Sequence, residues 1–201
     1  LGLSNDVVGE LTLDYQVGFL GNLNAPNNVK GISWLIKEVM PIVWGLKPDT
    51  VLTLAGSRPS DEVLELVKLD SRIQLIKNIP NAPAFLAKTA VLVNPVLSGS
   101  GVNVKTLDML MTERPIVSSS QGVAGLNVEI KSLCEVADTP ESFAKLIVMQ
   151  LENPSVDIEA RVAARRFFLI ESVQSMLTRI ELEVNKVQLL NNNKIESQEA
   201  V

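Results

Sequence analysis

The sequence contains no histidine among its 201 residues. Within this chain, that absence excludes catalytic triads built on histidine, histidine general acid–base catalysis and metal sites with imidazole ligands. Cys134 is the single cysteine, so an intrachain disulfide is also excluded. Any chemistry that the chain supports must therefore use carboxylates, lysine and arginine, backbone amides, or groups from another domain.

Positive charge and long apolar runs are also scarce. The formal net charge is −5 and the sequence pI is about 4.9, which argues against general binding to nucleic acids or anionic membranes. No stretch approaches the roughly 20 apolar residues of a membrane-spanning helix, and no secretory signal opens the sequence. We therefore expect a cytoplasmic protein with no nucleic-acid partner and at most peripheral membrane contact. Because the sequence begins without methionine, we also expect it to be a fragment of a longer chain.

Short apolar runs alternate with helical patterns along most of the chain. The runs predicted to be strands are 15–21, 50–56, 72–78, 89–95, 115–119 and a short one near 133–138. Helical patterns fill the intervals between them, and the longest covers 25–48. Near-continuous apolar strands that alternate with helices predict a Rossmann-like α/β fold, in which helices cover both faces of a parallel sheet.

Several polar or glycine-containing turns directly follow the predicted strands. Gly21, Gly56 and Asn78 stand at three of these strand ends, and a fourth turn follows Pro95. Ligands of parallel sheets bind beyond the carboxyl ends of the strands. All four turns are therefore expected on the same rim of the fold.

The turn after the fourth strand, "SGSGVNVKTLD" at 98–108, is the strongest candidate for a binding site. Its glycines let the backbone approach a ligand closely, and a helix is predicted to begin near Val102 or Asn103. Lys105 falls in the first turn of that helix, where a cation is unfavourable to the helix dipole unless an anion is bound. The pattern predicts a phosphate site. The alternative is a surface turn in which Lys105 pairs with Asp108.

Six segments together resemble one known protein family. They are "VGFLGNLNAPNNVKGISWLIKEVMP", "LTLAGSRP", "FLAKTAVLVNP", "GSGVNVKTLDMLMTERPIVSS", "GVAGL" and "ADTPESFAKLI". In order and spacing they resemble the C-terminal, donor-binding domain of retaining GT-B glycosyltransferases of the family-four, group 1 type. The resemblance implies metal-independent sugar transfer with retention from a nucleotide-sugar such as a UDP- or GDP-sugar, with no further cofactor. It also implies an N-terminal, acceptor-binding domain of the same protein as partner.

The resemblance also divides the chain into regions. Residues 1–14 are expected to be a linker or remnant of the N-terminal half, and 15–155 the donor-binding domain. Residues 156–190 are predicted to form long C-terminal helices whose apolar stripe packs on the core or covers the partner domain. The polar tail 191–201 is expected to lack a fixed fold.

The family's motifs assign roles to individual positions. Lys105 matches the second lysine of the family pattern G-[SA]-G-[VI]-K-x-K-x-L-E-A, and Asp108 matches its glutamate, which binds the nucleotide ribose. The resemblance implies that both are catalytic. The other donor-binding positions that it implies are Gly21, Asn22, Arg58, Asn78, Ile79, Ser98, Gly99, Ser100, Gly101, Val102, Asn103 and Thr106.

The sequence departs from the family at several charged contacts. Asp108 is one methylene shorter than the usual glutamate, and Ser100 stands in place of another carboxylate. Asn103 replaces the first lysine of the pattern, and Ala124 replaces the glutamate of a Glu-Gly-Leu turn. These departures leave two alternatives open: a non-catalytic module that binds a nucleotide or nucleotide-sugar, or a GT-B-fold epimerase or phosphorylase domain.

Overall fold

The computed structural model of the chain describes residues 13–99 and 103–165. Its strands are Tyr15–Asn22 (β1), Leu52–Ser57 (β2), Ile73–Lys77 (β3), Thr89–Asn94 (β4), Ile116–Ser118 (β5) and Glu135–Val136 (β6). They form one six-stranded sheet in the order β3-β2-β1-β4-β5-β6, and every pairing is parallel. The predicted Rossmann-like α/β fold is confirmed.

Helices connect the strands, as the alternating pattern predicts. The α-helices are Pro26–Trp34 (α1), Met40–Leu46 (α2), Asp61–Val67 (α3), Ala82–Ala87 (α4), Val104–Leu110 (α5), Val128–Lys131 (α6) and Pro140–Glu152 (α7). The long helix predicted over 25–48 contains a π-helical segment, Leu35–Val39, between α1 and α2. Pro41 has no N–H to donate to the preceding turn, and this missing hydrogen bond explains why the helix widens here.

The core lies between the sheet and its helices. In β4, residues 91–94 are all buried, which accounts for the continuous apolar run of that strand. Helices α1, α2 and α7 contribute to the main hydrophobic cluster together with β1, β2 and β4. Within it, Trp34 meets Phe143 edge to face, with ring centroids 5.2 Å apart. These helices thus pack against the central strands of the sheet.

The C-terminal part is described only in its first turns. Residues 158–165 are helical, and the rest of the predicted helices over 156–190 lies outside the described residues. So do the tail 191–201 and most of the linker 1–14. One compact unit of the chain ends at Ile158 and a second begins at Glu159. In the described ranges, no helix is long and apolar enough to cross a membrane.

The direction in which the chain crosses the sheet reverses between β1 and β4. From β1 the chain moves outward through β2 and β3, and from β4 it moves the other way through β5 and β6. In doubly wound sheets of this strand order, the connections that leave the two central strands diverge and open a crevice beyond their carboxyl ends. The turns after Asn22 and Asn94 therefore flank the expected ligand crevice.

Candidate functional site

Lys105 crosses this crevice from α5 towards β1 and α1. Its Nζ lies 2.9 Å from Oδ1 of Asn28 in α1. The same Nζ lies 4.1 Å from the centroid of the Phe19 ring in β1, a cation–π contact. Phe19 is fully buried. One ammonium group thus joins three elements at the point where the strand order reverses.

Gly21, near the end of β1, leaves room for this lysine. A Cβ at this position would lie 3.3 Å from both Cε and Nζ of Lys105, and 3.0 Å from Nδ2 of Asn28. Such distances are tight for side-chain carbon atoms. The family resemblance implies that Gly21 is a donor-binding position. In the structure, its missing side chain gives space to the lysine that faces the ligand crevice.

Asparagine side chains line the turn between β1 and α1. Asn28 Nδ2 donates to the carbonyl oxygen of Asn22 at 2.8 Å, so the Asn28 amide is fixed at both ends. Asn22 Oδ1 accepts from the backbone N–H of Asn24 at 3.0 Å. The turn therefore presents Lys105 with an oriented amide oxygen instead of a charged group.

Asn103 caps α5, and this changes what the helix offers to a ligand. Its Oδ1 accepts from the backbone N–H of Lys105 at 3.2 Å, and its carbonyl oxygen accepts from the N–H of Thr106 at 3.0 Å. Two amides of the first helical turn are thus already bonded within the chain. The attraction for an anion at this end of α5 therefore depends mainly on the Lys105 ammonium.

The turn after β4 is in contact with two neighbouring elements. Ser98 Oγ lies 3.4 Å from Asn27 Oδ1 in α1. Gln121, in the 3-10 turn Gln121–Val123 after β5, donates from Nε2 to the carbonyl oxygen of Gly99 at 2.9 Å. Gln121 was not among the residues predicted for the site. Its only signal was its position directly after a predicted strand, on the same rim.

Lys105 has no ionic partner in the part of the chain that the structure describes. The elements against which it packs, β1 and α1, carry one charged side chain, the exposed Lys30. Asp108, on α5 itself, is exposed, and no ion pair joins it to Lys105 among the described residues. The alternative of a Lys105–Asp108 surface pair is therefore not what the structure shows.

Burial shifts the protonation equilibrium of the Lys105 side chain towards the neutral amine. Loss of hydration lowers the pKa of Lys105 to about 7. An amide oxygen and an aromatic ring stabilise its ammonium form only partly, because neither carries a negative charge. An anion in the crevice would supply that charge. A partly buried cation without a carboxylate, placed at a ligand crevice, is thus a candidate anion-binding group.

Three predicted residues, Arg58, Asn78 and Ile79, lie farther along the rim, after β2 and β3. Arg58 and Asn78 both have φ of 51°, in the left-handed region that few side chains adopt. Both side chains are exposed, and Ile79 beside them is partly buried. The backbone N–H of Asn78 donates to the carbonyl oxygen of Gly56 at 2.7 Å, which fixes this turn against β2. These residues flank β1 on the side away from α5.

The other predicted positions differ in their placement. Ser100, Gly101 and Val102 lie outside the described residues. Thr106 is fully buried, and its hydroxyl donates to the carbonyl oxygen of Gly122 at 2.6 Å, so it lies behind the rim instead of on it. Asp108 stays on the exposed face of α5. Of the predicted residues with a charged side chain, Lys105 is thus the one that is partly buried, while Arg58 and Asp108 are exposed.

Comparison with known proteins gives matches over most of the chain. The family model described as "Glycosyl transferases group 1" matches residues 14–153. A protein of Klebsiella pneumoniae, described as an uncharacterized 44.6 kDa protein in the cps region, is 33% identical over 147 residues. That alignment covers 70% of this chain and 38% of the relative. The chain therefore spans well under half the length of the relative that it matches.

Solved structures resemble the fold. HepE of Anabaena, crystallised with UDP and glucose, matches with a TM-score of 0.62 and 13% identity, over 83% of this chain and 48% of that one. The C-terminal domain of LpcC from Francisella tularensis, a glycosyl transferase group 1 family protein, matches with a TM-score of 0.54 and 16% identity. This second alignment covers 75% of this chain and 80% of that domain. At such identities, the likeness concerns the fold.

Proposed function

Because the chain belongs to the group 1 glycosyltransferase family, we propose that residues 15–155 bind the nucleotide-sugar donor of a longer glycosyltransferase. The observation that carries this proposal is Lys105, an ammonium without a carboxylate partner among the described residues, at the point where the strand order reverses. The diphosphate of a nucleotide-sugar would provide the missing negative charge. HepE, which shares the fold, was crystallised with UDP and glucose, which supports a donor of this class.

The proposed chemistry is electrostatic. When the bond between sugar and diphosphate breaks, negative charge develops on the leaving phosphate. The Lys105 ammonium would stabilise that charge most strongly where burial has removed competing water. We further propose that the sugar is transferred with retention of configuration. The acceptor site and the remaining catalytic groups would come from an N-terminal domain of the same protein.

A nucleotide titration tests the donor site. UDP, GDP and ADP are added separately to the chain, and the heat of binding is measured by calorimetry. We expect one of the three to bind with a dissociation constant below about 1 mM, because a diphosphate can pair with the Lys105 ammonium, the main group that attracts an anion at this end of α5. If none binds at millimolar concentration, the donor-site proposal is contradicted. Release of free nucleotide from the matching nucleotide-sugar by the longer protein then tests transfer itself.

The affinity is also expected to depend on pH. Raising the pH through the Lys105 pKa of about 7 removes the ammonium that attracts the diphosphate. The charge of the phosphates changes little over this range, because the last pKa of a phosphate group is near 6. Between pH 7 and 9 the affinity should therefore fall, by at most about tenfold per pH unit, and binding should take up a proton. Calorimetry in two buffers of different ionisation enthalpy measures that uptake.

The stability of the unbound chain should change in the opposite sense. The pKa of an unfolded lysine is about 10.4, so between pH 7 and 10 the unfolded chain binds more protons at this position than the folded chain. The contribution of Lys105 to the free energy of unfolding therefore rises with pH over that window. Arginine stays charged over this whole range. Lys105→Arg should therefore flatten the pH dependence of both the nucleotide affinity and the free energy of unfolding. A constant affinity of the unmodified chain from pH 7 to 9 would contradict the prediction.

A further inference from the structure

A buried polar cluster lies behind the rim, where β4, α5 and the turn after β5 meet. Asn94, the last residue of β4, is fully buried. Its Nδ2 donates to Thr106 Oγ1 at 3.0 Å and to the carbonyl oxygen of Gly122 at 3.3 Å. Thr106 Oγ1 in turn donates to that same carbonyl oxygen at 2.6 Å. The three residues, here called the Asn94 cluster, form a closed set of hydrogen bonds.

Two members of the cluster are direct neighbours of residues at the site. Thr106 follows Lys105, whose ammonium meets Asn28. Gly122 follows Gln121, whose amide holds the carbonyl oxygen of Gly99. Any rotation or shift of α5 that moves Lys105 would stretch the Thr106 hydrogen bonds. Thr106 is the buried residue of α5 nearest to this end of the helix, since Met109 and Leu110, which are also buried, lie in its last turn.

The cluster is also incompletely satisfied. Asn94 Oδ1 is buried and has no hydrogen-bond partner in the described part of the chain. A buried acceptor of this kind costs stability, and a well-packed apolar side chain would avoid the cost. Stability alone therefore does not account for a polar side chain at the end of β4. The hydrogen bonds that Asn94 makes to Thr106 and Gly122 give this side chain a second role, which is to hold those two residues in position.

We propose that Thr106 and Asn94 are positioning residues of the anion site. Their buried hydrogen bonds hold Lys105 opposite Asn28, and hold Gln121 opposite the turn after β4. Thr106 thus acts through Lys105 and has no contact with the ligand itself. This inference rests on the proposed function, because it assigns the cluster to the binding of the donor diphosphate.

Two threonines of the chain allow a matched test. Thr106→Val removes the hydroxyl but keeps the shape of the side chain. Thr53→Val makes the same change at another buried threonine, on β2, whose hydroxyl has no hydrogen-bond partner among the described residues. Thr106→Ser keeps the hydroxyl and removes only the methyl group of the side chain. The measurement is the affinity for the nucleoside diphosphate that the unmodified chain binds, determined by calorimetry at pH 7 and 9.

We expect Thr106→Val to weaken binding by about 5- to 20-fold, as for the loss of one or two buried hydrogen bonds. Thr106→Ser and Thr53→Val should stay within about twofold of the unmodified chain. The pH profile gives an independent readout. If Lys105 is released towards water, its pKa returns towards 10.4, and the fall in affinity between pH 7 and 9 disappears. A purely structural role of Thr106 would leave that profile unchanged.

The outcomes separate this inference from the proposed function. Binding by Thr106→Val equal to that by Thr53→Val, with an unchanged pH profile, overturns the positioning role and leaves the donor site standing. Absence of binding by the unmodified chain overturns the donor site, and the inference with it. If Thr106→Val does not fold, Gln121→Ala takes its place. Among the described residues, that change removes the side-chain hydrogen bond to Gly99, and it should weaken binding by about two- to fivefold; an unchanged affinity overturns the inference.

Discussion

Replacing Lys105 with methionine is expected to weaken nucleoside diphosphate binding by about 10- to 100-fold. The change removes a cation that no other charged side chain of β1, α1 or α5 can replace at this point, because Lys30 is exposed and Asp108 is an anion. Methionine has nearly the same length and can still pack on the Phe19 ring. The difference therefore reports the charge. Calorimetric titration at pH 7 measures it.

The stability of the same variant should move the other way. Lys105→Met relieves the cost of burying an ammonium, so the free energy of unfolding at pH 7 is expected to stay the same or to rise. Lost affinity with kept or gained stability is the signature of a group retained for binding.

A matched control removes the same charge elsewhere. Lys68→Met changes a lysine whose side chain is 68% exposed and which, among the described residues, forms an ion pair with Glu65 on the surface. Its effect on nucleotide affinity should stay within about twofold, since surface charges are screened by salt and water. Equal affinities for Lys105→Met and the unmodified chain would contradict the role given to Lys105.

The sequence allowed the fold to be predicted, and a candidate site to be proposed, for physical reasons. Continuous apolar strands between helices are compatible with few arrangements other than a covered parallel sheet. In such a sheet, every strand end reaches the same rim. Lys105 stood out because a cation in the first turn of a helix conflicts with the helix dipole. Each of these inferences uses residues that are close together in the sequence.

What the sequence did not show were contacts between distant segments. Asn28 meets Lys105 although 77 positions separate them, and that meeting depends on the pairing of β1 with β4. The asparagines after β1 gave only a weak signal of their own. Thr106 was predicted to touch the donor, but its direction could not be known before α5 was placed against β4. Asn94 lay inside an apolar strand, where nothing in the pattern separated it from its neighbours.

The largest expected loss of stability comes from Gly56→Ala. In the register of β1 and β2, Gly56 is paired with Gly21. A Cβ at Gly56 would lie 1.7 Å from the carbonyl oxygen of Gly21, which belongs to the backbone of the neighbouring strand β1. The clash can be relieved only if the two strands separate near their carboxyl ends. We expect a loss of about 3 kcal/mol or more in the free energy of unfolding, measured by urea denaturation.

Gly45→Ala is the matched control for this prediction. Gly45 lies in α2, and a Cβ there would meet no atom within 4 Å in the part of the chain that the structure describes. Because alanine favours the helix, this change should stabilise the chain by about 0.5–1 kcal/mol. The two variants add the same methyl group, but the expected changes in the free energy of unfolding have opposite signs. Unchanged stability of Gly56→Ala would contradict the close approach of β1 and β2.

If the approach is as described, strand separation also displaces Gly21 from Lys105. Any Gly56→Ala chain that still folds should therefore bind the diphosphate more weakly than the Gly45→Ala chain.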